Sequence, residues 1–423
     1  MARKMKDSGI EWIGEIPEGW EVVPVRSCFD EVRTKNTDGQ EQNALQFKSG
    51  NIISKANFNA NTDDYVADTI TNYTVVLPDT VMINGLNLNY DFKSLRVALV
   101  KEKGVITSAY LAIFPDRKKI SPQYATYLFK GYETKMAFHN MGAGIRKTLG
   151  YKEFKNQPIL LPSKEEQNKI SAYLDSKCSH IDTMLFRTRS GIEEYKKLKQ
   201  AVITQAVTKG VRGEREMKDS GVEWIGEIPK EWDILNLVAH TSMLTPMRDR
   251  PENLDGPIPW IRIEDFDGKY ISSSKASLGV SKETVQSMNL KIYPVGTILC
   301  TSSCIMGKCA IVSRELVSNQ RFIGIIPDQN TCENFLYYLM LSNSERMNYL
   351  ATGALQANLS RSSFEHLKVQ FPSYQEQKEI ADYLDAKCAE IDGLIAKKEQ
   401  LVKELESYKK SLIYEVVTGK REV

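Results

Sequence analysis

The chain has 423 residues, 42% apolar and 26% charged, with 56 basic and 54 acidic side chains for a formal net charge of +2. That composition predicts an ordinary soluble chain of two or three domains; the balanced charge excludes a global pull toward nucleic acid, so any such surface must be local. The opening MARKMKDSG has no apolar signal region and no run of about 18 apolar residues could span a bilayer, which predicts a cytoplasmic protein with no membrane partner.

The first element, residues 5–20, reads MKDSGIEWIGEIPEGW. Trp12, Ile13, Ile16, Pro17 and Trp20 form an apolar arm with a docking partner elsewhere, and Gly14 and Pro17 keep it from being a helix. Short strand-like runs follow at Ala44 to Phe47, Tyr73 to Leu77, Thr80 to Ile83, Arg96 to Val100 and Tyr110 to Phe114, separated by Gly, Asn and Asp. Next come a helix from about Ser121 to His139, a Gly-rich turn MGAGIRKTLG and the strand PILLP. From about Glu165 to Thr208 a single amphipathic helix of about 44 residues is predicted, roughly 65 Å long and far beyond the usual three turns.

The whole order then recurs. Residues 217–232 match residues 5–20 at thirteen of sixteen positions. Strands are expected at Trp260 to Arg262, Thr297 to Thr301, Lys308 to Val312 and Phe322 to Pro327, then a helix from about Cys332 to Leu350, ATGALQANLSRSSF, a strand at Val369 to Phe371 and a second long helix. Leu149, Phe154 and Pro162 match Leu359, Phe364 and Pro372, whereas the interiors, from Val32 to Asp91 and from Thr245 to Lys308, do not align. A kept frame around a divergent interior suits two reading heads for two different ligands. The seven cysteines, an odd number, read as reduced thiols, and Cys300, Cys304 and Cys309 lie in two buried strands around a turn without the fourth ligand or the tight spacing of a zinc site.

The long helices carry equal apolar stripes. Ile170, Leu174, Cys178, Ile181, Leu185 and Ile192 on the first, and Ile380, Leu384, Cys388, Ile391, Ile395 and Val402 on the second, step by threes and fours with one polar skip at Thr188 and at Lys398, which predicts a mutual seam. Duplication favours a pair within the chain. The about ten residues after Thr208 span at most roughly 35 Å, so the second half must begin near the far end of the first helix and send its own helix back. The predicted architecture is α+β or α/β: a first recognition domain over 1–162, a long spacer helix over 163–212, a second recognition domain over 213–372 and a second spacer helix over 373–423. The helices form an antiparallel coiled coil with pseudo-twofold symmetry.

No Asn-Pro-Pro-aromatic methyltransferase motif, GxxxxGK[ST] or HExxH is found. Asp116 with Glu133 and Lys135 imitates a nuclease layout, but the second copy offers Asp328, Glu345 and Met347 without the lysine, and both copies fit a turn followed by a helix.

WIGxIPxxW, EQxxIxxYLDxK, IPWIRIEDF, GTIL, GKCAIV and NQRF together resemble the specificity subunit of a type I restriction-modification system, over essentially the whole chain. The resemblance implies a non-catalytic DNA-specificity subunit. In it each domain reads one half of a bipartite asymmetric site in double-stranded DNA, and the helix pair sets the spacing and docks two methyltransferase subunits. Restriction and translocation subunits would join in the full complex, with S-adenosylmethionine and ATP on those partners and no cofactor on this chain. A specificity subunit of a type IIB-like system and a coiled-coil scaffold that reads nothing are the alternatives.

Base reading needs forked donors and amides on loops. In the first domain the candidates are Arg33, Lys35 and Asn36; Lys48 and Asn51; and Asn84, Asn87 and Asn89 of NGLNLN, with Arg146 and Lys147 suited to phosphates. In the second they are Arg248, Arg250, Arg262 with Asp265, Ser302, Ser303, Lys308, Arg321, Asn358 and Arg361.

Overall fold

A computed structural model describes residues 3–48, 50–55, 70–92, 95–145, 147–246, 249–303, 307–351 and 358–423. Two compact units form, Met1–Arg189 with Gln400–Val423, and Ser190–Glu399. Their boundary divides both long helices, so each unit holds one part of each.

In the first unit the arm is a β-hairpin, β1 (Met5–Asp7) antiparallel to β2 (Glu15–Pro17). Glycines at 9 and 14, both with positive φ, shape its turn, and the Ser8 amide donates to the Gly14 carbonyl at 3.0 Å. Strand β3 (Glu21–Pro24) pairs antiparallel with β12 (Pro158–Leu161), so the domain's first and last strands meet and deliver the chain to the long helix. Between them β4 (Phe29–Glu31), β8 (Val81–Ile83), β9 (Val97–Leu99) and β11 (Leu111–Pro115) form an antiparallel sheet in the order β4-β11-β8-β9. Its side chains alternate between two cores. Val81, Ile83, Val97, Leu111 and Ile113 face the helices, while Met82, Ala98 and Ala112 join Leu45, Ile52 and Val76 on the other side. Short strands β5 (Leu45–Lys48), β6 (Asn51–Ser54), β7 (Thr74–Val76) and β10 (Gly104–Ile106) build that second layer. The single helix expected over 121–139 is two, α1 (Pro122–Thr134) and α2 (Ala137–Met141), because Met136 adopts a left-handed φ of 52°.

After α3 (Tyr151–Phe154), the first long helix, α4, runs Lys164–Lys209, and the second, α9, runs Tyr374–Val417. Within the first unit they are antiparallel: Asp182 pairs with Lys409 at 2.6 Å, and Arg189, further along α4, pairs with Glu406, further back on α9. Ile170, Leu174, Cys178, Ile181 and Leu185 share one core with Leu412, Ile413, Val416 and Val417, with half-buried Val402 at its edge.

The second unit repeats the frame with a hairpin of β13 (Met217–Asp219) and β14 (Glu227–Pro229) and a closing pair of β15 (Asp233–Asn236) and β24 (Lys368–Phe371). Its main sheet differs. Strands β16 (Thr241–Leu244), β18 (Tyr270–Ile271), β20 (Ile298–Thr301), β21 (Cys309–Val312) and β23 (Phe322–Pro327) run in the order β16-β23-β20-β21-β18, with β18 parallel to β21. The helix expected over 332–350 again breaks, at Asn343, into α6 (Glu333–Ser342) and α7 (Ser344–Leu350). Lys199 meets Asp392 at 2.6 Å, and Lys398 lies 5.6 Å from the Tyr195 ring, an antiparallel order here too. Ile380, Leu384 and Cys388 share a core with Ile203, Ala206 and Val207; Ile192 and Ile391 are buried and Ile395 half-buried.

One polar device seats both domains on their helices. Gln167 is fully buried on α4; its oxygen accepts the Ser121 amide at 2.8 Å and its nitrogen donates to the carbonyls of Lys119 and Pro162, both at 3.0 Å. Gln377 on α9 accepts from Cys332 at 2.8 Å and donates to Asn330 and Pro372 at 3.1 and 3.0 Å. An amide can satisfy a buried donor and two buried acceptors at once, so a domain's helix entry and its last strand are held by one side chain. Beside it the buried Trp20 indole donates to Glu166 at 2.9 Å, and Trp232 donates to Glu376 at 3.0 Å. Tyr127 and Tyr338 donate to Asp175 and Asp385, at 2.7 and 2.6 Å.

Candidate nucleic-acid interface

The most organised loop of the first unit is built around a residue the sequence reading passed over. Arg96 stands just before β9 in an apolar run yet is almost wholly buried. One guanidinium nitrogen donates to the carbonyls of Asn84 and Leu86, both at 2.9 Å, and the other to the Asp91 carbonyl at 2.5 Å, with the Asp91 carboxylate at 3.5 Å. Segment 84–91 is thus wound about a planar cation whose fork reaches three of its carbonyls. The Arg96 amide donates to Glu133 of α1, and burial pushes that carboxyl up to about 7, against the opposing pull of the Arg96 amide, Lys130 and Arg96.

This loop meets the Gly-rich turn. Leu88 donates to the Lys147 carbonyl at 3.1 Å, Asn89 to the Ile145 carbonyl at 3.1 Å, and Leu149 to Gly85 at 2.9 Å. Asn87 stands exposed with φ 52°, a conformation asparagine tolerates better than most residues, and Lys147 is exposed beside it. Asn89 is half-buried, with its amide spent on the turn; Asn84 is half-buried and accepts its own loop's Leu86 amide at 3.2 Å. Tyr90, Phe92 and Ile145 are exposed around them, with Phe92 stacked on His139 at 5.1 Å. Arg146 lies outside the described residues.

The other candidates of this unit lie on separate loops. Lys48 and Asn51 face each other across the β5–β6 hairpin. Arg33 is exposed and paired to Glu31 at 2.5 Å, and Lys35 is exposed and bonds Ser108. Asn36 corrects the reading that grouped it with them: it is buried, donating to the Glu41 carbonyl at 2.9 Å and accepting from the Glu41 amide at 3.1 Å, so it closes a turn and offers no amide to a base.

In the second unit Ser302, Ser303, Arg321 and Asn358 converge. Ser302 donates to the Arg321 carbonyl and accepts from Leu359, both at 2.9 Å, and Ser303 bridges to Asn358. Ser303 is buried, and its hydroxyl has no partner among the described residues; Arg321 and Asn358 are exposed. Lys308 is exposed one residue before β21. Arg250 is exposed, Arg361 is paired with Glu365 at 2.7 Å, and Arg248 lies outside the described residues. Asp265 corrects its pairing with Arg262 as a base reader. It is buried and accepts the Arg262 amide at 2.7 Å, the Lys275 amide at 2.8 Å and the Ser274 hydroxyl at 3.2 Å, while the Arg262 guanidinium lies 3.1 Å from Glu264.

Two of the nuclease-like carboxylates make structural hydrogen bonds. Asp116 accepts the Lys118 amide at 3.0 Å in a turn, Glu133 takes the Arg96 amide, and no group of three metal-ligating side chains occurs among the described residues. Cys300 and Cys309 face each other at 2.8 Å across paired strands, and Cys304 lies outside the described residues. Among the described residues no helix is long and apolar enough to cross a membrane.

Two similar frames, each closed by its own strand pair and seated on antiparallel helices, with unlike amide- and cation-bearing loops, define a duplicated α+β protein. The type I restriction modification DNA specificity domain matches residues 233–404. A Methanocaldococcus jannaschii protein assigned as the specificity subunit of the type I restriction enzyme MjaX is 26% identical over 96% of this chain and 95% of its own. The MjaVIII specificity subunit of the same organism is 24% identical over 96% and 93%. A solved structure described as the structural basis underlying complex assembly and conformational transition of the type I R-M system shares the fold, with TM-score 0.73 and 13% identity over 96% of this chain and 99% of that one. The chain is thus similar to type I restriction-modification specificity subunits over nearly its whole length, and its second half matches their DNA specificity domain.

Proposed function

We propose that this chain is the DNA-reading, non-catalytic subunit of a type I restriction-modification complex. Each unit reads one half of a bipartite asymmetric duplex site, and the helix pair sets the spacing and docks methyltransferase subunits, on which S-adenosylmethionine binds. ATP belongs to the restriction and translocation subunits. The observation that carries this reading is the combination of an identical polar seat, Gln167 and Gln377, with unlike loops above it: the Asn84–Asp91 loop on Arg96 in one unit, the Ser302, Arg321 and Asn358 cluster in the other. A pure scaffold has no use for that divergence. Phosphate contacts position a reader and base edges specify, so Lys147 and Lys48 supply the first kind of contact, and Asn87, Asn51, Arg321 and Asn358 the second. Methylome sequencing of cells expressing the chain with its methyltransferase subunit should reveal one asymmetric two-part motif; methylation without such a motif overturns the reading. Adding one heptad to both helices should widen the gap by about 10 Å, or about three base pairs, without changing either half.

A further inference from the structure

The two arms are almost the same sequence, yet their tryptophans end in different surroundings. In the first unit the Trp12 ring meets Tyr132 edge-on at 4.6 Å, and its carbonyl accepts the Tyr414 hydroxyl at 2.8 Å. Tyr414, near the end of α9, is only 9% exposed, and the Lys135 ammonium sits 4.5 Å over its ring. In the second unit the helix that places Tyr338 where the first has Tyr127 puts Asn343 in place of Tyr132, and the repeat puts Thr204 in place of Tyr414. Both covering rings are gone, and Trp224 is 43% exposed.

What stands in their place is an open groove of about 690 Å³, lined by Lys197, Gln200, Thr204, Gln205, Ile225 and Glu345. Thr204 lines it at the position equivalent to Tyr414. The rim is prepared for contact. The Arg346 guanidinium lies 3.9 Å from the Trp224 ring centre and 4.8 Å from that of Tyr349, itself 78% exposed, and the Arg346 Nε is buried without a partner among the described residues. Lys197, Lys209 and Arg346 outnumber Glu345, so the groove and its rim favour a carboxylate-bearing occupant. Aromatic side chains and Arg are the groups that carry most binding energy at protein interfaces.

We propose that the groove beside Trp224 receives a tyrosine-type ring flanked by acidic residues from the methyltransferase subunit, in the place that Tyr414 fills in the first unit. The ring hydroxyl donates to the Trp224 carbonyl, as Tyr414 does to Trp12, and the carboxylates answer Arg346 and Lys197. The identity of the partner rests on the function proposed above; the shape and charge of the occupant rest on the repeat alone.

The repeat also supplies the test. Thr204→Tyr should fill the groove from within, keeping or raising Tm and shifting tryptophan emission to the blue as Trp224 is covered. Binding of the purified methyltransferase subunit, measured by titration calorimetry, should weaken at least about tenfold, while Thr204→Ser binds as the parent chain does. Arg346→Glu, which leaves the groove open and reverses its charge, should weaken binding comparably and covers the case of a Thr204→Tyr chain that does not fold. Undiminished binding by a folded Thr204→Tyr chain, or by Arg346→Glu, overturns this occupant and leaves the proposed function standing. A parent chain that binds no methyltransferase subunit overturns both.

Discussion

The first unit finishes its own packing and the second does not. Where the first places Tyr132 and Tyr414 on Trp12, the second leaves Trp224 half-open beside a groove; where the first sets Glu133 against the Arg96 amide, the second has Ser344 at the matching position. Yet the polar seats under both are superimposable in role. The difference teaches that duplication kept what holds a domain to its helix and released what the domain shows to the outside.

The largest effect should come from breaking what the units share. Gln377→Ala and Gln167→Ala each strand a buried amide and two buried carbonyls, and each should cost about 3 kcal/mol in urea unfolding. Markedly unequal losses would show that the two seats are not equivalent.

The carboxylates beside the tryptophans should separate the units. Glu376 is 5% exposed and its partner Arg215 15%, at 2.6 Å; Glu166 and its partner Arg3 are 25% and 29% exposed. Charges paired out of water are costlier to break than wetter ones, so Glu376→Gln should lose about 2 kcal/mol and Glu166→Gln about 1, read by the same method.

A pH titration should single out the first unit. Glu133 titrates at about 7 when folded, raised from an ordinary carboxyl by burial. The folded chain therefore holds a proton that the unfolded chain has lost between roughly pH 4.5 and 7, so this group's contribution falls as pH rises through that window, by about 3 kcal/mol. Glu133→Gln should flatten that slope in chemical denaturation followed across pH 5–8; an unchanged slope would place its cause elsewhere.

The smallest effect should be equal in both units. Asp182→Asn removes the pair with Lys409 and Asp392→Asn the pair with Lys199. These are exposed ion pairs between helices, so each should cost no more than about 0.5 kcal/mol and vanish in high salt. A large loss from either would mean that the helix contact is electrostatic, not apolar.

Much of the frame was legible in the residues. The long helices were found within a few positions of their ends, because a stripe over that length has no strand-like reading. The two domain helices were placed but read as unbroken, since a left-handed Met136 has no composition signal. The arm was recognised as non-helical and docking, but its strands were missed, three residues being too short for a period of two. Among the candidate readers, Asn36 and Asp265 had the right chemistry and the wrong address: short polar residues that organise turns look the same in sequence as those that project from them. Arg96 was hidden in a strand, and an arginine inside LRVALV was the only signal that could have flagged it.

By itself the sequence determined the duplication, the helix pair, the α+β order and the resemblance to type I specificity subunits, all properties of local period and repeated motif. Only the tertiary structure decided that Arg96 gathers residues 84–91 and ties them to a turn fifty residues on, that Gln167 and Gln377 are seats, and that Trp224 lacks the cover Trp12 has. Those outcomes depend on which distant backbone carbonyls and rings come within a few ångströms of one side chain. No spacing along the chain encodes that, because burial is a property of the assembled fold.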